Sequence, residues 1–323
     1  MVGRKPWLAS LGRRVIAFSI DLLLLCIFGF FLSLAYEASF VQLGARGVLI
    51  GMVAALLYFG ILNSRVSDGQ TLGKKLTRIK VVDRNGKSID LLRSFVRYCI
   101  FAIPLSLLGV DILSEQLMRY IHYPLTVIVI GSVVATVYLL LFNYITKQSL
   151  HDLVVRTLVV NSAAPCESVR PMWRAHLSVT VLIFMMATVM PRFIDLPMSQ
   201  DHSIGLAETE RLLREEHSVI SAKVTQGEST LYRSVRPVDA LKRVEVSAML
   251  AENIISDTEL ARKLAMSTLK AYQKAKDSDE IVVRLNYGFA IGIWSRWSRK
   301  SYRFQTADLS ANGLDTVQAG DQS

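Results

Sequence analysis

Five apolar runs of membrane-spanning length occupy the first 194 residues and restrict the chain more than any other feature. A bilayer core takes about 20 mostly apolar residues in a helix. Val15 to Tyr36 is one such run, interrupted only by Asp21. Gly47 to Asn63 has no charge. Phe95 to Leu113 carries Arg97 near its start and Pro104 inside, and Tyr123 to Ile145 is long and uncharged. His176 to Ile194 is the fifth. Runs this long without amphipathic breaks read as spans rather than as soluble-core helices. The first is longer than the apolar part of a signal peptide and no small-residue cleavage site follows closely, so it reads as an uncleaved anchor. At 323 residues, 51% hydrophobic, with only three cysteines, the chain is neither disordered nor a disulfide scaffold.

A net charge of +10 would suit a nucleic-acid binder, but its distribution argues otherwise. Residues 1–194 hold 20 Lys+Arg against 9 Asp+Glu, whereas residues 195–323 hold 17 against 18. The excess lies wholly among the apolar runs, so no nucleic acid is expected. The loops alternate in Lys/Arg content. The N-terminal arm has Arg4, Lys5, Arg13 and Arg14, and the next loop only Arg46. Nine cations fall between Ser64 and Arg97, then comes Arg119 alone, then Lys147, Arg156, Arg170 and Arg174. Cation-rich loops stay cytoplasmic. The N-terminus is therefore expected in the cytoplasm and, after five spans, the C-terminus outside a plasma (inner) membrane.

Three stretches stand out within this frame. Arg14 and Asp21 are seven residues apart, hence on one helix face two turns apart, and Asp21 lies roughly 9 Å inside the span at 1.5 Å per residue. The second stretch is Gly69-Gln70-Thr71-Leu72-Gly73-Lys74-Lys75, followed by Ile79 to Lys87. Its glycines suggest a tight turn, and its alternating Val/Ile residues with Asn85-Gly86 predict a small hairpin with a type I′ turn. It is not a P-loop, because the glycine spacing is too short and no Ser/Thr follows the lysine. The third is Ser149 to Val160, with Asp152 and Thr157.

Together these stretches resemble the RDD family of bacterial membrane proteins over about residues 7–161. The family's arginine and two aspartates match Arg14, Asp21 and Asp152. Its glycine-rich loop is similar to Gly69, Gln70, Thr71, Gly73, Lys74 and Lys75, and its closing motif to Asp152 through Val160. Val155-Arg156 departs from the small residues many members carry there. The resemblance implies a multi-pass membrane protein, with proton-coupled cation transport suggested for some members.

Two readings of the charged residues stay open. In one, Asp21 is a cation or proton site in the helix bundle, with Arg14 and Asp152 at its cytoplasmic end. In the other, Arg14 ties the first span to the Asp152 segment, while Asp21 bonds a neighbouring helix or the backbone of the returning loop. Lys74, Lys75, Arg78 and Lys80 form a basic juxtamembrane patch suited to anionic lipid. No cofactor, metal set, nucleophile motif or paired catalytic acids are apparent, so no enzyme is expected. Cys26 and Cys99 fall in spans and Cys166 in a cytoplasmic loop, so no disulfide is expected.

Beyond residue 195 the composition turns ordinary. Ala207–Glu216 reads as a helix, Ser218–Val224 and Thr230–Val235 as strands around a turn at 226–228, and Val238–Asn253 as a helix. Ser256 to Glu259 reads as a capping box opening another helix. Ile281–Gly288 and Ile291–Phe304 read as a strand pair. Trp294, Trp297, Tyr302 and Phe304 alternate with cations. They are either a cationic-aromatic surface for headgroups or glycans, or an ordinary strand with one apolar face.

The expected architecture is an α-helical membrane protein with four spans in residues 1–161, a cytoplasmic linker and fifth span in 162–196, an extracytoplasmic α+β domain in 197–307 and a polar tail in 308–323. The lead function is transport of a small cation or solute. The alternative is a membrane scaffold or sensor whose outer domain binds a partner protein. A homodimer is also expected.

Overall fold

The computed structural model describes residues 7–108, 115–164, 171–190, 204–233 and 236–310. Arg4, Lys5, Asp111, Cys166, Arg170, the ends of the third and fifth runs and the tail from residue 311 lie outside these ranges. The chain divides into two units. The first comprises residues 1–36, 45–196 and 290–294, and the second residues 37–44, 197–289 and 295–323.

In the first unit each apolar run forms a helix. They are α1 (Leu11–Leu43), α2 (Val48–Leu62), α4 (Leu91–Leu108), α5 (Glu115–Phe142) and α7 (Arg174–Val189). α1 departs from helical geometry at Tyr36 (φ −129°, ψ 23°). Pro104 does not end α4, which continues to Leu108. Among the described residues two stretches are long and apolar enough to cross a membrane, Leu11–Leu62 and Tyr120–Phe142, while α7 is apolar but shorter. Phe18, Leu23, Phe31, Leu34, Val137 and Met186 remain exposed. An apolar surface of this extent suits lipid rather than water.

Two short helices and two strands sit between these long elements. Helix α3 (Leu72–Leu76) leads into β1 (Ile79–Asp83), and α6 (Leu150–Val154) leads into β2 (Thr157–Asn161). β1 and β2 pair antiparallel, with Val81 opposite Val159. This corrects the expected hairpin, because the partner of β1 is remote and not the segment after Asn85-Gly86. That dipeptide does turn the chain, but only Gly86 takes a positive φ (+76°), whereas a type I′ turn needs two. The carboxylate of Asp83 accepts from the N–H groups of Asn85 and Lys87 and fixes a local loop instead. The N-terminal arm joins β2 through Ala9 N–H to Val159 and Asn161 N–H to Trp7. Ile79, Val81, Ile89, Val159, Ala9 and Ala17 form one core cluster, so the sheet packs against α1.

The second unit carries α8 (Ile204–Arg214), β3 (Val219–Arg233), β4 (Arg236–Leu250), α9 (Thr258–Ala271), β5 (Glu280–Ala290) and β6 (Ser295–Gln305). The sheet order is β3-β4-β5-β6, with β3–β4 antiparallel and β4–β5 parallel across α9. Two expectations fail here. The strands placed around 226–228 are one continuous strand, and the helix placed over Val238–Asn253 is strand β4. Val244 and Ala248, four apart, satisfy both a helical and a two-residue period. The deciding residues are Val246 and Leu250, which are also fully buried and complete the alternation of a strand. Helix α9 is capped by Asp257, whose carboxylate accepts from Leu260 N–H, and not by Ser256. On β6 Tyr302 and Phe304 pack against the core, while Trp297 stays exposed.

Leu264 on α9 is 1% exposed within this core. Leu264→Ala is expected to cost about 2–5 kcal/mol, read as a lowered melting temperature of the purified full-length protein. An unchanged melting temperature would show that α9 does not hold the sheet.

Candidate functional site: two buried carboxylates

The glycine-rich loop folds as its residue types demand. Asp68 and Gly69 both take left-handed backbone angles (φ +53° and +71°). A Cβ on Gly69 would lie 2.3 Å from the Val81 carbonyl oxygen, so only glycine fits. Gln70 Nε2 donates to the Ile79 carbonyl (2.9 Å) and holds the loop to β1. Thr71 caps α3, accepting from Lys74 N–H. Gly73 allows α3 to touch α1, since a Cβ there would meet the Ala17 carbonyl oxygen at 2.0 Å. Lys75 and Arg78 are exposed, whereas Lys74 and Lys80 are half-buried.

That close approach surrounds Asp21, which is 1% exposed on α1. Its Oδ1 accepts from the Tyr58 hydroxyl (2.7 Å) and from Gly73 N–H (2.8 Å), and its Oδ2 accepts from the Thr71 hydroxyl (2.6 Å). All three donors are neutral. Among the described residues no Lys or Arg lies within ion-pair distance of Asp21. Lys74 follows Gly73 directly, but its ammonium donates to Asn63 Oδ1, at the C-terminal end of α2.

Asp152, also 1% exposed, has the opposite surroundings. Arg97 on α4 forks onto Oδ1 through Nε (2.9 Å) and Nη2 (2.8 Å). Arg14 on α1 approaches Oδ2 at 3.7 Å, while donating to the carbonyls of Lys147 (2.6 Å) and Val159 (3.2 Å). The hydroxyls of Ser149 (2.7 Å) and Thr157 (2.8 Å) also donate to Asp152, and Ser149 with Asp152 forms the capping box of α6. Burial alone would raise the carboxyl's pKa, but Arg97 first, then His151 and Arg14, outweigh it and hold the group well below the usual carboxylate range. Burial, with Arg97 adding repulsion, pushes the Lys74 ammonium down to about 7 and the His151 ring to about 3.

Arg14 and Asp152 are thus brought together, and Asp21 sits in a separate cage with the loop residues Thr71 and Gly73. Sequence reasoning missed Arg97, Tyr58 and Asn63. The available signal was weak: Arg97 is the one cation inside the third apolar run, and a cation that close to a span end is ordinary in isolation.

Residues 8–156 match the model of the RDD family. That segment belongs to the RDD family. No curated protein and no solved structure matches the chain. The RDD segment supplies both carboxylate sites, from Arg14 on α1 to Asp152 on α6, and its membrane association accords with the two apolar stretches of spanning length.

Removing one partner of a buried ion pair costs about 3–5 kcal/mol, because the other charge is stranded. Arg97→Met is therefore expected to lower the melting temperature of the detergent-solubilised protein steeply. Lys80→Ala, at a partly exposed pair 3.7 Å from Asp68, is expected to change it little. Equal effects would remove Arg97 from its structural role. The pH response of Lys74 has a definite sign. Its folded value near 7 lies below the ordinary 10.5, so the unfolded chain binds more protons between them. Stability from this group rises as pH climbs from about 7 to about 10.5. Lys74→Gln is expected to flatten that rise in melting temperature, and an identical pH profile in the variant would contradict it.

Proposed function

We propose that this RDD protein is a multi-pass transporter of a small cation, coupled to protons, with Asp21 as its binding acid. One observation carries the reading: of two carboxylates each 1% exposed, Asp152 bonds guanidinium groups, whereas among the described residues Asp21 accepts hydrogen bonds only from neutral donors and Lys74 acts on it from beyond ion-pair distance. A buried anion without a cationic partner costs several kcal/mol. A proton or a metal cation is the partner that offsets this charge and remains free to leave. The hydroxyls of Tyr58 and Thr71 rotate, and each offers oxygen lone pairs once a cation replaces the hydrogen bond. Hard cations take oxygen ligands of this kind.

The same reading assigns five spans to α1, α2, α4, α5 and α7, with the N-terminus cytoplasmic and the second unit extracytoplasmic, following the loop cations. Exposed Lys75, Arg78, Arg84 and Lys87 then face anionic headgroups at the cytoplasmic surface. A homodimer in the membrane is part of this proposal. A second reading, a scaffold or sensor whose outer unit docks a partner protein, draws support from β6. There Arg299 lies 5.8 Å from the exposed Trp297 ring, a cationic-aromatic pair on the exposed side of the strand.

Everted vesicles distinguish the two. Transport predicts cation-dependent proton flux with Na⁺, K⁺ or Li⁺, abolished in Asp21→Asn while the variant still inserts. Normal flux in that variant would reject Asp21. Absence of flux from wild-type vesicles with all three cations would leave the scaffold reading.

A further inference from the structure

The first unit repeats itself. Two long helices, a short helix and a strand (α1, α2, α3, β1) are followed by the same series (α4, α5, α6, β2). With an offset of 78 residues, Gln70, Leu72, Arg78, Val81 and Val82 fall on Gln148, Leu150, Arg156, Val159 and Val160, and Thr71 falls on Ser149. The structure follows the same offset. Gln70 donates to the Ile79 carbonyl and Gln148 to the Thr157 carbonyl. Arg78 and Arg156 both take left-handed angles, φ +56° and +57°. Lys75 N–H bonds the Thr71 carbonyl as Leu153 N–H bonds that of Ser149. The β1–β2 ladder is centred on Val81 opposite Val159, which are equivalent positions, so each pair in the ladder maps onto another pair. Asn63 and Asn143, 80 residues apart and so two off the strict register, follow the last residues of α2 and α5.

At the same offset Lys74 falls on Asp152, and the charge is reversed. In the second repeat the short-helix acid, Asp152, bonds a base on the repeat's first helix, Arg97. In the first repeat the short-helix base is Lys74 and the first-helix acid is Asp21, two residues beyond Ser19, the strict equivalent of Arg97. The second pair is closed. The first is open, with Lys74 on Asn63 and Asp21 on neutral donors. Gly73 N–H already touches Asp21, so the next residue's flexible four-carbon stem has the carboxylate within its range.

We propose that Lys74 is a built-in competitor for Asp21: its ammonium closes the ion pair when no external cation is bound, and withdraws to Asn63 when one is. The proposal rests on Asp21 being the cation acid. It gives the first repeat an exchangeable pair where the second has a fixed one. Binding and release then need only a side-chain movement.

The test is cation-induced thermal stabilisation of the purified full-length protein, titrating Na⁺, K⁺ or Li⁺ against choline at constant ionic strength. Lys74→Gln, with Lys74→Met as a second variant that keeps an apolar stem, is expected to reach half-maximal stabilisation at a cation concentration at least about tenfold lower than wild type, since a full neighbouring charge has gone. A response in these variants but none in wild type supports the competitor equally. Asp21→Asn is expected to lose the response. A half-point in Lys74→Gln and Lys74→Met equal to or above that of wild type, with the response still lost in Asp21→Asn, overturns the competitor and leaves Asp21 standing. No response in any chain, Lys74→Gln and Lys74→Met included, overturns both.

Discussion

Asp152 is a carboxylate buried to 1% exposure whose charge is matched by guanidinium groups from α1 and α4, an arrangement that offsets the cost of taking it out of water. This interaction joins parts of the sequence more than a hundred residues apart. Arg14 reaches Asp152 and the backbone of β2 together, so the first helix, the short helix α6 and the two-stranded sheet are fixed as one body. Once β2 is fixed, β1 pairs with it, and β1 in turn holds the glycine-rich loop through Gln70 and Gly69. The loop then presents Thr71 and Gly73 to Asp21. The Asp152 ion pair thus positions the donors that surround Asp21.

The two sites differ in how their carboxylates are held. At Asp152 two guanidinium N–H groups of Arg97 converge on one carboxylate oxygen, and such charge-assisted bonds inside a protein are strong. A carboxylate held by hydroxyls and one backbone N–H is held more weakly, and its donors can reorient. A transporter needs a site that releases as readily as it binds. In the proposed transport function, Asp152 would hold the frame and Asp21 would be the exchanging site.

Much of this was legible in the residues. Five apolar runs marked the five long helices, and Arg14, Asp21, Asp152 and the loop from Gly69 to Lys75 were conspicuous because charge and glycine are unusual beside such runs. Arg97 was harder to see as a partner, since a cation near a span end is ordinary in isolation. Tyr58 carries no signal at all within an apolar run. The misread segments have simple causes. Asn85-Gly86 is a strong local turn signal, yet the register of β1 is decided by contacts with a strand far along the chain. In β4 a four-residue spacing of valine and alanine fits two periods, and only burial against α9 separates them. The internal repeat was hidden because its long helices share type and order but neither length nor sequence, so the similarity is concentrated in the short segment from Gln70 to Asp83 and its counterpart.

The central claim is that Asp21, and not Asp152, is the carboxylate a cation meets. Infrared difference spectroscopy on the reconstituted full-length protein, with Na⁺, K⁺ or Li⁺ exchanged for choline, reads this directly. The account predicts a cation-induced change in the carboxylate stretching bands of wild type that disappears in Asp21→Asn and persists in Asp152→Asn wherever that variant remains folded. The same difference bands surviving in Asp21→Asn, or no carboxylate change in wild type with any of the three cations, would contradict it.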